Sequence, residues 1–292
     1  MLKFCNLYSG SSGNCLFVQT NYSKILIDCG PSGKKICEGL EIIDESIENI
    51  DAILVTHEHS DHINSLGLIS KKYDIPVFAN IETWNAMTKQ KEKISEKNIK
   101  FFLNDKDFTF NDFTIHPFSI PHDAANPCGF TIHNGKKKIS IATDLGHIDK
   151  NILDNLKDSS LVLIEANYDP EVLKTSKYPF TLKQRIAGPM GHLSNNTAGK
   201  TISTLMKKDL KQVILGHLSK ENNFPELAYQ TVLDELMSNN CDTNTISISV
   251  ANRNYPRKNI KSLKKNLQAF ILFSNLIYRY LPYISKDCNY NY

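Results

Sequence analysis

Thr56-His57-Glu58-His59-Ser60-Asp61-His62 places three imidazoles and an aspartate in the pattern H-x-H-x-D-H. It follows directly on Ile50–Val55, a β-branched apolar run that predicts a buried strand. Ordinary loops favour Gly, Asn and Pro over histidine. Neutral imidazole and carboxylate are common ligands of zinc and related divalent ions. Alternate residues of an extended chain point the same way, so His57 and His59 are placed to grip one ion. Asp61 and His62 turn with the start of a helix and are placed to reach a second. Ile63, Leu66 and Ile69 have the spacing of a helix face, with Ser60 or Asp61 as its N-cap.

Two ions need further donors. His122, in Ile120-Pro121-His122-Asp123, follows an apolar run and would complete the first set. Asp144, in Ala142-Thr143-Asp144-Leu145-Gly146, ends a predicted strand and would bridge both ions. His217, in Leu215-Gly216-His217-Leu218-Ser219, also ends a strand and would complete the second set. Each alone is a weak signal; together they are donors of the right kind at strand ends.

Around these residues the chain alternates short apolar runs with turn signals. Leu16–Gln19, Ile25–Ile27, Val77–Ala79, Phe101–Leu103, Phe108–Phe110 and Phe113–Ile115 read as strands. So do Gly129–His133, Ile139–Ala142, Leu161–Ile164 and Gln212–Leu215, with Asn134-Gly135 a hairpin turn. Ile81–Ile99 and Thr197–Met206 read as helical. Strand groups followed by helices, given twice, predict an α/β chain of two packed mixed sheets with helices outside. The second half is expected to begin near Leu145.

The ordered set His57, His59, Asp61, His62, His122, Asp144 and His217 resembles the ligand motifs of the metallo-β-lactamase superfamily. That resemblance implies an αββα sandwich and a dinuclear metal centre, zinc or manganese, with Asp61 and Asp144 as its catalytic carboxylates. Ser9-Gly10-Ser11-Ser12-Gly13-Asn14-Cys15, Ile27-Asp28-Cys29-Gly30, Glu165-Ala166-Asn167-Tyr168-Asp169 and Gly191-His192-Leu193-Ser194-Asn195 sharpen it to the YycJ/WalJ-type group. The group implies a cytoplasmic nuclease with 5′-to-3′ exonuclease activity on double-stranded DNA. Glu165 and His192 resemble the acid/base pair that ribonuclease Z-like enzymes use near the leaving group. Arg185, in Lys183-Gln184-Arg185, carries the guanidinium fork suited to a phosphate. His116, His133 and His147 are read as incidental, with His147 the nearest in sequence to Asp144. The interval from His122 to Asp144 has no room for the tRNA-gripping arm of bacterial ribonuclease Z. The interval from Asp144 to His217 has none for the extra domain of ribonuclease J.

Composition is compatible with this. The 292 residues are 41% hydrophobic and 22% charged, ordinary for a globular chain, with a net charge of +3 that permits an acidic partner. Seven cysteines, an odd number with no C-x-x-C pair, argue against a disulfide framework and suit a reducing cytosol. No apolar signal segment opens the chain, which weighs against a secreted antibiotic hydrolase.

Residues 1–256 are expected to form the hydrolase domain and 257–292 a basic, then apolar, helical tail. The tail carries Lys258, Lys261, Lys264 and Lys265, then Ala269–Ile284, too interrupted for a membrane span. It either packs or frays, lies on a membrane surface, or binds a partner. The expected function is a metal-dependent phosphodiesterase on nucleic acid, DNA in preference to RNA, acting as an exonuclease. The rivals are a thioester or cyclic-phosphodiester hydrolase on the same scaffold, or a non-enzymatic regulatory protein.

Overall fold

The computed structural model of the chain describes residues 2–206 and 210–256, so the tail reading lies outside the described residues. The first sheet is built from β1 (Lys3–Tyr8), β2 (Cys15–Gln19), β3 (Lys24–Ile27), β4 (Ala52–Leu54), β5 (Val77–Ala79) and β6 (Ile99–Phe101), in that order. β1 to β3 are antiparallel neighbours, whereas β3 to β6 run parallel. The second sheet holds β7 (Phe108–Phe110), β8 (Phe113–Ser119), β9 (Cys128–Asn134), β10 (Lys137–Ala142), β11 (Leu161–Glu165), β12 (Gln212–Gly216) and β13 (Ser247–Val250). Its first four strands are antiparallel and the rest parallel. Each sheet is thus mixed, half hairpin ribbon and half crossover-connected strands.

Helices α1 (Gly33–Ile42), α2 (Ser60–Ile63), α3 (Leu66–Tyr73), α4 (Ile81–Ala86) and α5 (Thr88–Lys91) belong to the first half. Ile36, Leu40, Leu66, Ile69 and Trp84 pack with Phe17, Leu26, Ile53 and Val77 in one core. Helices α6 (Lys150–Leu156), α7 (Pro170–Thr175), α8 (Phe180–Ile186), α9 (Asn195–Leu205) and α10 (Pro225–Ser238) belong to the second. Ile152, Ala198, Ile202, Val232 and Leu236 pack with Ala142, Val162, Ile164 and Val213 in another. α9 shows why: Ala198, Thr201, Ile202 and Leu205 are buried at helical spacing, and the Ser194 side chain caps the start by accepting from Thr197 N.

The strands between are buried on both faces. Ala52 and Leu54 alternate with Ile53, and Leu161 and Leu163 with Val162, yet all are buried. Aromatic contacts join the sheets: Phe78 stacks on Phe108 at 5.7 Å between centroids, and Phe102 meets Phe130 edge-on. The architecture is the expected αββα sandwich.

Three expectations are corrected. Ile81–Ile99 is not one helix: Met87 leaves helical geometry at φ −99°, ψ 42°, and the segment breaks into α4, α5 and a 3-10 turn, Glu96–Asn98. The following strand is therefore Ile99–Phe101 and excludes Phe102 and Leu103. The second sheet begins at Phe108, well before Leu145, because sheet membership depends on long-range pairing that local pattern does not carry. β1, β13 and α10 are additions that strand and helix patterning did not single out.

Candidate metal centre

The chain leaves β4 extended through His59, which holds φ −61°, ψ 145° and is the N-cap residue of α2. The expected caps, Ser60 and Asp61, lie inside that helix instead. The His59 side chain makes no capping bond, because its ring faces the other histidines at 4.6 Å from His57 and 5.0 Å from His122. His122 arrives from the end of β8, Asp144 from β10 and His217 from β12. Asp144 and His217 take left-handed backbone, φ +60° and +53°, at the point where each strand ends. The sheets therefore deliver donors to one end of the sandwich from both sides.

The groups overlap the expected division, and one more joins Asp144 and His217 to Glu165 and His192. His57, His59 and His122 form one set with donor atoms within 4.8 Å of one another. Asp61, His62 and His217 form a second, and Asp144 groups with His57 of the first and His62 of the second. His59 Nδ1 lies 3.3 Å from His122 Nε2, and Asp61 Oδ2 lies 3.6 Å from both His62 Nε2 and His217 Nε2. Tetrahedral donors at zinc-like bond lengths of 2.0–2.1 Å stand about 3.4 Å apart, so these spacings fit divalent ions. Three buried polar atoms here, His57 Nε2, Asp144 Oδ2 and His217 Nε2, have no hydrogen-bond partner. Buried polar atoms without partners are costly, and cations held by the two sets would satisfy them.

Partners behind the donors fix ring orientation. His62 Nδ1 meets Asp28 Oδ2 at 2.8 Å, His122 Nδ1 meets the Gly191 carbonyl at 3.1 Å, and His217 Nδ1 meets Glu165 Oε1 at 2.8 Å. Each leaves Nε2 toward the centre. Asn14 Nδ2 donates to Asp61 Oδ2 and lies 3.0 Å from His62 Nε2. Ser9 Oγ accepts from His217 N. Of these supporting side chains only Glu165 was among the candidate residues. Asp28 had a readable signal: Asp28-Cys29-Gly30 and Asp144-Leu145-Gly146 are the same strand–Asp–x–Gly pattern. Both aspartates have positive φ, and both glycines are pinned by close approach. A Cβ on Gly30 would stand 1.6 Å from the Asp61 carbonyl oxygen, and on Gly146 2.2 Å from that of Pro189.

Glu165 is fully buried and joins two histidines. Its Oε1 lies 2.8 Å from His192 Nδ1 as well as from His217 Nδ1, while Oε2 accepts from the Leu145 and Leu193 amides. Burial pushes the Glu165 carboxyl up, but the His192 charge and bonds from both imidazoles hold it at about 2. Burial pulls His192 down, yet the Glu165 carboxylate wins and holds it above the ordinary histidine value. Burial likewise opposes charge on His217, and Asp144, with the nearby Asp61 carboxylate and the bond to Glu165, pushes it up to about 10. His62 is raised against burial by Asp144 and Asp28. Asp144 is held well below the carboxylate range, despite burial, by His217 and His62. The first set behaves differently: burial keeps His57 and His122 low and neutral, the form a metal ligand needs.

Arg185 lies outside these groups. It is exposed, and its Nε donates to Asp123 Oδ2 at 2.6 Å; Asp123 Oδ1 is in turn 3.5 Å from His122 Nε2. His147 is exposed, bonds the Pro189 carbonyl and joins no donor group; His116 pairs with Asp107.

The family description "Beta-lactamase superfamily domain" matches residues 23–218. The chain belongs to the metallo-β-lactamase superfamily. Within that superfamily it is 39% identical over 236 residues to exodeoxyribonuclease WalJ of Streptococcus pneumoniae, covering 80% of this chain and 88% of that one. It is 38% identical over 232 residues to exodeoxyribonuclease YycJ of Bacillus anthracis, covering 79% and 88%. The superfamily fold is seen again in YhfI of Bacillus subtilis, at TM-score 0.66 and 16% identity over 88% of this chain and 98% of that one. The YycJ/WalJ-type resemblance read from the motifs is thereby confirmed.

Proposed function

We propose that the chain is a metal-dependent phosphodiesterase acting on nucleic acid, and specifically a DNA exonuclease that works from the 5′ end. The observation that carries this is the pairing of two donor sets across Asp144 with the Glu165–His192 dyad beside them. The names of the WalJ and YycJ relatives, both exodeoxyribonucleases, support the same substrate.

His57, His59 and His122 would hold one divalent ion, and Asp61, His62 and His217 the other, with Asp144 between. Two ions, zinc or manganese, supply Lewis acidity toward a phosphoryl oxygen and lower the pKa of a nucleophilic water. The chain's own groups do the rest. Water adds to phosphorus and the P–O bond to the leaving strand breaks, leaving an alkoxide that needs a proton. His192, partly exposed and raised above the ordinary histidine value by the Glu165 carboxylate, stands next to Asp144 and would give it. Glu165 fixes the His192 ring and the His217 ring with one oxygen. Arg185, oriented by Asp123, is set at the rim to hold a phosphate.

The six cysteines among the described residues are free thiols, which fits a reducing cytoplasm. Among the described residues no helix is long and apolar enough to cross a membrane. The deciding assay offers 5′-labelled single- and double-stranded DNA and RNA with zinc, manganese or magnesium. Degradation of DNA from the labelled end is the expected result. Cleavage of a thioester or cyclic phosphodiester, with no action on any nucleic acid, would overturn the reading.

A further inference from the structure

A cavity of about 560 Å³ opens between α7 and α8, over Tyr168. Phe180, Lys183 and Gln184 face it from one side of α8, and Ala187, the C-cap residue of that helix, continues the same side. Pro170, Leu173 and Lys174 face it from α7. Tyr178, in the connecting loop, closes one end, and Phe180 is 72% exposed at the mouth. No carboxylate lines it. Lys183 Nζ spends one N–H on the Lys174 carbonyl and keeps two, while Lys174 has only the exposed Glu171 at 3.8 Å.

The cavity walls are linked to the segment that carries His192: Ile186 O accepts from His192 N, and Tyr168 O accepts from Asn195 N. Arg185, next to Gln184 on α8, reaches across to Asp123 beside His122. An apolar slot with aromatic sides and lysines at its edge suits a flat π-system attached to a polyanion. Base-on-aromatic stacking with cations along the backbone is the usual way a single strand is held. The volume falls within the ~300–1,000 Å³ of small-ligand pockets.

We propose that this cleft seats an unpaired nucleobase of the substrate strand, with Tyr178 and Phe180 stacking on the base and Lys174 and Lys183 meeting its flanking phosphates. This rests on the nucleic-acid reading above and extends it. A base seated between two helices is not paired, so a duplex end must open by at least that nucleotide before the strand is engaged.

The test uses the full-length chain with Asp144→Asn to block turnover. Its affinity is measured by fluorescence anisotropy for 5′-phosphorylated single-stranded oligonucleotides, each with one abasic residue at a successive position. One position near the 5′ end should show binding weakened roughly 5- to 150-fold, the worth of one stacked base. Phe180→Ala should erase that discrimination. The side chain is largely exposed, so the substitution removes little core packing, and Tyr178→Leu gives an independent second variant. Lys183→Gln should reduce the salt slope of binding by about 0.7, one phosphate contact on a single strand. A flat abasic scan, or full discrimination in both aromatic variants, overturns the proposal. Turnover by the unsubstituted chain is assayed in parallel. Base preference that depends on Phe180 in a chain that cuts nothing supports the cleft and removes the nuclease reading. Cutting with a flat scan does the reverse.

Discussion

Asp28 Oδ2 sits 2.8 Å from His62 Nδ1, and both side chains are buried. Asp28 also accepts from Thr56 N and Thr56 Oγ1, so it ties the end of β3 to the residue that precedes the histidine run. The contact turns His62 Nε2 toward Asp144, 3.3 Å away. Asp28→Ala should lower metal affinity about 10- to 100-fold, the usual cost of losing such a partner. Competition with a chromophoric chelator reads this directly, and wild-type affinity in the variant would show that the contact serves folding alone.

His59→Ala and Asp144→Ala should abolish hydrolysis while the chain stays folded. Each removes a donor from the groups around the centre, and neither side chain belongs to the two helix-covered apolar cores. Metal content by atomic emission and circular dichroism separate the two effects. Substantial turnover in either variant, or in chelated protein, would refute the mechanism.

His192→Ala should keep metal content near wild type and lower turnover about 10²- to 10⁴-fold, the range of general acid–base catalysis. The loss should shrink on a nitrophenyl phosphodiester, whose leaving group needs no proton. An equal loss on both substrates would assign His192 to phosphate positioning. Loss of metal would make it a ligand or a ligand's support.

Metal uptake should release protons at neutral pH. In the metal-free chain His217 is pushed up to about 10, so its ring is cationic at pH 7, and His62 is raised in the same direction. Ligation requires the neutral ring, so the ion held by the Asp61, His62 and His217 set must displace protons, and its apparent affinity should rise with pH until about 10. Calorimetry in buffers of different ionisation enthalpy counts the protons. A heat of binding independent of buffer would contradict the assignment.

The donors were readable because His57, His59, Asp61 and His62 crowd a segment where histidine has no structural reason to recur. His122, Asp144 and His217 were readable by their place at strand ends, which the apolar runs before them mark. Ser9, Asn14 and Asn167 entered only as members of quoted motifs and their roles were not readable, since small polar residues in loops commonly serve turns, and their contacts here span long separations. Arg185 illustrates the opposite limit: its charge was evident, but its fixed partner Asp123 lies 62 residues away and no local pattern links them. Strand existence followed from β-branched runs. The division of strands between sheets did not, because Phe108–Ala142 and Leu161–Gly216 share one sheet only through pairing between β10 and β11.

The donors come from both sheets, and the last of them, His217, stands at the end of β12. A ribosome delivers the chain from its N-terminus, so His57, His59, Asp61 and His62 emerge with the first sheet and wait for the rest. The second set is incomplete until His217 clears the exit tunnel and β12 pairs with β11. A nascent polypeptide therefore cannot cut nucleic acid until most of it has been made. Competence arrives late in translation, when β12 joins the second sheet and before β13 closes its edge.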